Sequence, residues 1–536
     1  MSFASPFSWL LAASLVCLSC AQTTVSPEIA CAPSSPVAEA ASIGPAQAQT
    51  APAPPPVANH QEGADNRAGQ EQTQTVEIGD IIDGPSVGSA FWGVLARSLS
   101  TGECLASRNE EKLFVPASNM KLLTTAVALT RLGPDFRYTT SLYGPGRRER
   151  GVLKGDVFLR GSGDPTISST FQGRAVAVFE AWADALKAQG VREIRGDVVG
   201  DDTLFDDRDL GPGWAWDDEL IAFSARISAL SFNDNCFEAI VAPGKKAGDP
   251  ARITITPETA YIEMTNRVQT ASRGEESELE ARRVLGSGRI LLWGSIALSS
   301  EPRRLRFSVA SPTLYAVTVL KEVLERRGIR VRGKAADLGR SGKRPPDYGA
   351  MKVIATRQSE PLSEIIEHVN KSSQNLYAEL LFRTLGAVYG GRGTTEKATQ
   401  VMTDSLAAMG ITKESLAIYD GSGLSRLNLI SPSQVVQVLD YMSHHPYFAY
   451  YYRSLPTAGV NGTLMKRMRN TPAENNVRAK TGTLTHMVAL SGYFEDGEGG
   501  LAAFSIMSNN SLGSASEMRS LEDALCERLV SASKRR

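Results

Sequence analysis

The sequence contains few of the residues that build metal and redox centres. Its 536 residues include five histidines and six cysteines. The histidines are not spaced as in metal-binding motifs, and the cysteines of the predicted folded part are too far apart for a C-x-x-C motif. These residues are His60, His368, His444, His445, His486, Cys104, Cys236 and Cys526. Neither a metallopeptidase nor a C-x-x-C redox enzyme is therefore indicated.

The sequence also lacks a surplus of charge and a long apolar run. Lysine and arginine together number 57 against 58 aspartates and glutamates, so no broad basic surface is available for nucleic acid. No segment approaches the roughly 18 apolar residues that a membrane-spanning helix needs. We therefore expect no nucleic-acid partner and no transmembrane span in the mature chain.

The first apolar segment, residues 7–20, is too short to span a bilayer comfortably but suits the hydrophobic region of a signal peptide. We expect a signal peptide over residues 1–21 and export to the periplasm or cell envelope. Cleavage before Cys20, with lipid attached to that cysteine, is the alternative. Residues 22–75 are rich in alanine, proline and glutamine and poor in core-forming side chains, so they are predicted to be a disordered tether.

The rest of the sequence predicts two halves of one domain separated by a long insertion. Residues 76–135 predict a β-hairpin and a long helix, and residues 351–536 predict helices, three strands and a closing helix. Residues 136–238 and 301–350 repeat a helix followed by a short strand, which predicts a separate inserted α/β domain. Residues 239–300 show strand-like alternation and are interpreted as a further sub-insertion.

Three short motifs carry candidate chemistry. Ser118 and Lys121 stand three residues apart at the predicted start of a helix, so their side chains share one face near unsatisfied backbone N–H groups. Ser373 and Asn375 precede a second predicted helix. The third motif lies in a predicted strand, where an interior glycine indicates close approach of a ligand or another backbone segment. It consists of Lys480, Thr481, Gly482 and Thr483.

Each motif has a purely structural interpretation when it is taken alone. Ser118 or Asn375 could simply cap a helix, and a Lys-Thr-Gly tripeptide could lie on any exposed edge strand. Together, in this order and on these elements, they form the set found in penicillin-binding proteins and serine β-lactamases.

The resemblance extends over nearly all of the chain after the tether. The sequence resembles the penicillin-binding protein 4 type of D-alanyl-D-alanine carboxypeptidase and endopeptidase, serine peptidase family S13. About 250 residues separate Lys121 from Ser373, which matches the position of the family's inserted domains. The resemblance implies an α+β fold, in which an antiparallel sheet flanked by helices is interrupted by the insertion. The matching segments are FVPASNMKLLTTAVAL, GSGDPT, GPGWAWDDE, SALSFNDN, DGSGLSR and LPTAGVNGTL.

The resemblance also implies a role for each motif, without cofactor or metal. Ser118 is the nucleophile that forms an acyl-enzyme, and Lys121 is its base, provided that burial and a second cation lower the lysine pKa. Lys480 is that cation, Ser373 relays the proton to the leaving amine, and Asn375 orients the substrate amide. The backbone N–H groups of Ser118 and Thr483 would hold the oxyanion. The implied substrate-binding residues are Thr481, Gly482, Thr483 and, for the amino end of the stem-peptide diamino acid, Asp164. Lys480, Thr481 and Thr483 are implied to bind the terminal carboxylate of the substrate.

The expected activity is hydrolysis of D-alanyl bonds in peptidoglycan stem peptides, with β-lactam antibiotics as covalent inhibitors. A serine β-lactamase is one alternative, but it needs a second base for rapid deacylation, and no E-x-x-L-N segment lies between Lys121 and Ser373. A catalytically inert peptidoglycan-binding scaffold is another, although every expected reactive side chain is present. The segment 84–88 matches a G-x-S-x-G elbow around Ser86, but it lacks the required strand-to-helix context.

Overall fold

The structure is a computed structural model that describes residues 75–84, 89–146, 148–341, 344–497 and 499–535. The expected signal peptide, residues 22–74 of the expected tether, Cys20 and Ser86 lie outside the described residues.

The described strands and helices are numbered in chain order. The strands are β1 (Phe91–Ser98), β2 (Cys104–Arg108), β3 (Thr139–Gly144), β4 (Arg148–Glu149), β5 (Val152–Leu153), β6 (Val157–Arg160), β7 (Glu193–Ile194), β8 (Val198–Asp201), β9 (Cys236–Ala242), β10 (Arg252–Thr256), β11 (Met264–Ala271), β12 (Glu278–Arg283), β13 (Ile290–Ala297), β14 (Arg303–Ser308), β15 (Arg330–Val331), β16 (Ala335–Asp337), β17 (Lys352–Gln358), β18 (Arg478–Leu484), β19 (Met487–Glu495) and β20 (Leu501–Asn509). The helices are α1 (Gly79–Ile82), α2 (Met120–Leu132), α3 (Ser169–Gln172), α4 (Ala177–Ala188), α5 (Pro312–Arg326), α6 (Leu362–Lys371), α7 (Asn375–Gly390), α8 (Thr395–Ala408), α9 (Pro432–Ser443), α10 (Phe448–Ser454) and α11 (Ala515–Ser533).

A five-stranded antiparallel sheet joins the two ends of the described chain. Its strand order is β18-β19-β20-β1-β2. The pairing of β1 with β20 sets Phe91 opposite Asn509, so this sheet pairs residues that lie more than 400 positions apart in the sequence. The sheet therefore brings the Lys480 strand and the helix that follows β2 into one domain.

Helices cover both faces of this sheet. The buried stripe of α2, which includes Leu122 and Leu123, packs with α6, α7, α8 and α9 in one apolar core. On the other face, Leu525 and Leu529 of α11 pack in a second core with Phe504 of β20. The Lys-Thr-Gly-Thr strand β18 lies at the edge of the sheet, which leaves one side of its backbone free to line a cleft.

The insertion between β2–α2 and α6 forms its own sheets and core. One sheet has the order β16-β8-β6-β3-β17 and a second has the order β15-β7-β5-β4. Helices α4 and α5 pack against each other and against these sheets. Ser311 begins α5 as expected for a cap, because its Oγ accepts a hydrogen bond from the backbone N–H of Leu314. Two three-stranded sheets, β10-β9-β14 and β11-β13-β12, form the rest of the insertion.

Strand pairing moves two of the expected boundaries. Strand β17 pairs with β3, so the chain leaves the inserted sheet after Gln358, later than the expected boundary at residue 350. Strand β9 pairs with β14, so the sheet of the sub-insertion runs from Cys236 to Ser308 and exceeds the expected 239–300 at both ends. We keep the division into catalytic, inserted and sub-inserted parts as a proposal with these shifted bounds. Within the described residues, no helix combines the length and apolar character needed to cross a bilayer.

Candidate active site

Ser118 and Lys121 meet at the start of α2. Ser118 lies in a 3-10 turn, Ala117–Asn119, that runs directly into the helix. The turn makes no side-chain cap hydrogen bond, so Ser118 is not a helix cap. Its Oγ instead accepts a hydrogen bond from Lys121 Nζ at 2.9 Å. The hydroxyl is partly exposed, whereas Lys121 is fully buried.

Two further oxygens fix the amine of Lys121. Its Nζ donates to Asn375 Oδ1 at 2.6 Å and to the backbone carbonyl of Ser422 at 2.7 Å. Burial lowers the pKa of Lys121 from 10.5 to about 7, although the carboxyl groups of Asp420 and Glu379 oppose the shift. A buried amine with such a pKa is neutral in a large fraction of molecules near pH 7 and can accept a proton from Ser118.

The second lysine and the second serine form a similar pair. Lys480 Nζ donates to Ser373 Oγ at 2.8 Å and to the carbonyl of Thr481 at 2.7 Å. Burial, together with the charge of Lys121, holds the pKa of Lys480 well below its usual value. Ser373 has a positive φ of 55°, a left-handed conformation that costs free energy in a residue with a side chain and is typical of functional sites.

Asn375, the first residue of α7, contacts both Lys121 of α2 and the insertion. The sequence allowed Asn375 to be a helix cap, but α7 begins at Asn375 without a side-chain cap. While its Oδ1 accepts from Lys121, its Nδ2 donates to the carbonyl of Phe223 at 2.9 Å. The Phe223 carbonyl therefore selects the amide orientation that presents Oδ1 to the lysine. Further along α7, Arg383 forms an ion pair of 2.6 Å with Asp206 of the insertion.

Gly482 allows the edge strand β18 to lie against the Ser118 turn. A Cβ atom at this position would come within 2.9 Å of the Pro116 carbonyl oxygen and 3.1 Å of Ala117 Cβ. Gly423, with a φ of +81°, makes an even closer approach, since a Cβ there would lie 1.7 Å from the Ala117 carbonyl oxygen. Both glycines are required because backbone segments pack directly against the turn that carries the nucleophile.

Asp420 builds the loop that presents the Ser422 carbonyl. Its carboxylate accepts from the backbone N–H groups of Gly423 at 2.8 Å and Ser425 at 2.6 Å. It also accepts from the indole Nε1–H of Trp214, which belongs to the insertion, at 2.9 Å. One buried carboxylate thus fixes the loop of the catalytic domain and attaches it to the inserted domain.

Glu379 supports the same loop from α7. It lies one turn after Asn375, and its Oε1 accepts from the backbone N–H groups of Gly421 at 3.1 Å and Ser422 at 2.8 Å. Helix α7 therefore positions Lys121 in two ways: Asn375 contacts the amine directly, and Glu379 holds the N–H of Ser422, the residue whose carbonyl contacts the amine.

Two threonines of β18 line the outer part of the site. Thr481 Oγ1 donates to Thr463 Oγ1 at 2.8 Å. Thr483 Oγ1 donates to the Gly482 carbonyl at 2.7 Å and accepts from Arg519 Nη2 at 3.1 Å. Both threonines are at least partly exposed, so a bound anion can reach their hydroxyls.

This geometry unites Ser118, Lys121, Ser373, Asn375 and the Lys480 strand, as the order of the motifs predicts. A sequence profile of the D-Ala-D-Ala carboxypeptidase 3 (S13) family matches residues 74–531. The chain belongs to this family.

Two curated relatives are similar in sequence to this chain over most of its length. It is 37% identical to the D-alanyl-D-alanine carboxypeptidase of Actinomadura sp. (strain R39), over 85% of this chain and 84% of that protein. It is 29% identical to the D-alanyl-D-alanine carboxypeptidase DacB of Haemophilus influenzae, over 80% of this chain and 87% of that protein. The S13 enzyme is a serine D,D-peptidase of the carboxypeptidase type.

A solved structure confirms the predicted fold class. The crystal structure of penicillin binding protein 4 from Haemophilus influenzae matches the S13 enzyme with a TM-score of 0.74 and 26% identity. The match covers 85% of this chain and all of that chain, 100%. The α+β penicillin-binding fold with its long insertion is therefore established for this chain.

Asp164 is not brought to the catalytic group of the S13 enzyme. It is 2% exposed, and its Oδ1 accepts from both the backbone N–H and the hydroxyl of Thr166, at 2.7 and 2.6 Å. Its Oδ2 forms an ion pair of 2.8 Å with Arg357. A buried carboxylate with both oxygens engaged is unavailable to a substrate amine, so this geometry favours a structural role for Asp164.

Several residues of the site were not singled out in the sequence. The role of Glu379 could not be predicted from the sequence, because a glutamate in the middle of an apolar helix belongs to no short motif. The DGSGLSR segment contributed only to the resemblance, although two glycines beside a buried aspartate indicate a tight loop. The carbonyls of Ser422 and Phe223 could not be inferred, since main-chain groups acquire a role only through the fold.

Glu379 gives a prediction for the pH dependence of stability. Burial and Asp420 raise its pKa from 4.5 to about 8, so between these values the folded protein binds more protons at this position than the unfolded chain does. Its contribution to the free energy of unfolding therefore falls as pH rises, by roughly 1.4 kcal/mol per pH unit. We expect Glu379→Gln, which keeps the acceptor oxygen, to remove this slope. Denaturant unfolding of both proteins from pH 5 to 9 measures it, and parallel curves would contradict the prediction.

Proposed function

We propose that this D,D-peptidase acts through an acyl-enzyme on Ser118, with Lys121 as the general base. The observation that carries the proposal is the 2.9 Å hydrogen bond between Lys121 Nζ and Ser118 Oγ in a site where burial lowers the pKa of Lys121 to about 7. Serine is a poor nucleophile unless a neighbouring base accepts its proton, and Lys121 is within reach to do so.

In the proposed acylation, Lys121 takes the proton of Ser118 as Oγ attacks the carbonyl carbon of the penultimate D-alanine. The negative charge passes to the carbonyl oxygen, which the backbone N–H groups of Ser118 and Thr483 are proposed to bind. The C–N bond then breaks, and the leaving amine takes a proton from Ser373. Lys480, which donates to Ser373 Oγ, replaces that proton. A water molecule later attacks the ester and gives a proton, through Ser373, to the now neutral Lys480. As the ester bond breaks, Ser118 takes its proton back from Lys121, which restores both lysines to their starting states.

The proposed substrates are peptidoglycan stem peptides, and the proposed location is outside the cytoplasmic membrane. The Haemophilus influenzae relative has been solved in complex with a β-lactam at 25% identity to this chain, which supports covalent inhibition by the same class of compound here. Among the described residues, the hydrogen bonds of Ser118 and Lys121 involve no carboxylate. This arrangement supports slow deacylation and inhibition by penicillin.

Intact-mass measurement after incubation with benzylpenicillin tests the proposal. We expect a stable adduct that peptide mapping assigns to Ser118, together with release of D-alanine from an acyl-D-Ala-D-Ala peptide. Many turnovers of nitrocefin per second without release of D-alanine would instead identify a β-lactamase. Digestion of purified muropeptides, followed by mass analysis, measures the ratio of carboxypeptidase to endopeptidase activity.

We further propose that Asp217 and Asp218 of the insertion attract the amino group of the stem-peptide side chain. They lie between Trp214, which contacts Asp420, and Phe223, whose carbonyl contacts Asn375. Asp217 is exposed and Asp218 is partly exposed. This segment therefore offers solvent-accessible carboxylates between two residues that contact the active site, whereas Asp164 is buried.

Neutralising both aspartates should weaken binding of substrates with a free side-chain amine. We expect Asp217→Asn/Asp218→Asn to lower kcat/KM for such a peptide by roughly twofold to fivefold, the upper part of the range typical of an exposed ion pair. The same peptide with an acetylated amine should be cleaved at an unchanged rate. Asp184→Asn, which removes an exposed carboxylate on α4, is the control. Equal losses on both peptides would contradict the assignment.

A further inference from the structure

Arg519 reaches from α11 to the substrate-facing end of β18. Its Nη2 donates to Thr483 Oγ1 at 3.1 Å. Thr483 is exposed and Arg519 is partly exposed, so solvent reaches both residues. The guanidinium is therefore adjacent to the hydroxyl that the third motif supplies for a substrate anion.

The backbone of Arg519 is held by a buried ionic cluster behind the sheet. Arg467 Nη2 donates to the Arg519 carbonyl at 3.1 Å. Arg467 also forms ion pairs of 2.9 Å with Glu522 and 2.7 Å with Asp523, and its side chain is 13% exposed. These contacts fix the turn of α11 that carries Arg519, so the backbone position of Arg519 is well defined.

The charge of Arg519 is available to a ligand. No carboxylate of a described residue lies within ion-pair distance of it, although its charge acts on Glu522 at longer range. Thr483 engages one donor of a planar group that can bind a carboxylate with two parallel hydrogen bonds. Lys480 is a poorer counter-charge, because its amine is fully buried beside Lys121. An arginine side chain keeps its charge under physiological conditions, so Arg519 offers a charged donor beside Thr483.

We propose that Arg519 adds a guanidinium to the subsite in which Thr483 binds a carboxylate on the carbon atom next to the leaving nitrogen, and that Arg519 thereby strengthens the preference for bonds that carry this carboxylate. This inference rests on the proposed acylation of Ser118. A terminal D-alanine carries such a carboxylate, and so does a cross-link through the amine-bearing carbon of a diamino dicarboxylic acid. A cross-link through the side-chain amine of lysine has no carboxylate there, and a C-terminal amide has lost its charge. Arg519 therefore favours the first two kinds of bond over the other two.

The test compares an acyl-D-Ala-D-Ala peptide with the same peptide carrying a C-terminal amide. We expect wild-type enzyme to prefer the free acid, and Arg519→Gln to lower kcat/KM for the acid by roughly tenfold to a hundredfold, the size of a lost charged hydrogen bond. The kcat/KM for the amide should change by less than about threefold. The ratio of kcat/KM for the acid to that for the amide therefore falls. Arg519→Lys should restore part of it, because it keeps the charge without the planar donor set.

The matched control is Arg528→Gln, on the same helix. Arg528 pairs with Asp80 and donates to the Glu77 carbonyl, so its loss removes an arginine from α11 outside the site and should leave the acid preference intact. Equal loss on acid and amide in Arg519→Gln, or no loss on either, would overturn the assignment of Arg519 while acylation of Ser118 still stands. Absence of an acyl-enzyme on Ser118 in the wild type would overturn both.

Discussion

Ser118→Ala should retain less than about one part in 10⁴ of the wild-type kcat for release of D-alanine. The change removes the only atom proposed to form the ester, and it leaves Lys121 with its other two contacts, Asn375 and Ser422. The fold should therefore survive while the acyl-enzyme cannot form. Stopped-flow or endpoint assay of D-alanine measures the residual rate, and intact mass after benzylpenicillin should show no adduct.

Ser372→Ala is the matched control for this experiment. Ser372 is exposed and immediately precedes Ser373, so its removal changes a serine near the site without touching the two proposed serine–lysine pairs. We expect wild-type activity and a normal penicillin adduct. A covalent adduct on Ser118→Ala at the wild-type rate would show that another residue is the nucleophile.

The motifs predicted the reactive side chains well because their spacing is local. Ser118 and Lys121 are brought together by one helical turn, and this relation can be read directly from the sequence. The convergence of the three motifs could be inferred only from the resemblance, since β1 pairs with β20 across more than 400 residues and no local pattern encodes that pairing.

The parts that the sequence did not predict are held by long-range or main-chain contacts. Asp164 and Asp420 are both aspartates beside glycine or proline in turn-like segments, and their sequences do not distinguish them. In the structure, Asp164 is closed off by Arg357 and Thr166, whereas Asp420 organises the loop whose carbonyl contacts Lys121. The C-terminal boundary of the insertion could not be predicted either, because only the pairing of β17 with β3 shows that β17 is part of the inserted sheet.

Lys121→Met should lower kcat/KM for an acyl-D-Ala-D-Ala peptide by roughly 10²–10⁴, the usual contribution of a general base. Methionine fills a similar buried volume but cannot accept the Ser118 proton. Lys112→Met, at an exposed lysine before the Ser118 turn, is the control and should behave like the wild type. D-alanine release at several substrate concentrations separates kcat from KM, and an unchanged rate in Lys121→Met would exclude Lys121 as the base.

The pH profile then decides which lysine is the base. A base must be neutral to act, and burial places the pKa of Lys121 at about 7, so kcat/KM in the wild type should rise as pH increases through about 7 and level off above it. Without that shift from 10.5, only about three molecules in 10⁴ would hold a neutral lysine at pH 7. The residual activity of Lys121→Met should lack this rise. If the rise persists, the titrating group is another one, and Lys480, whose pKa burial also lowers, becomes the candidate base.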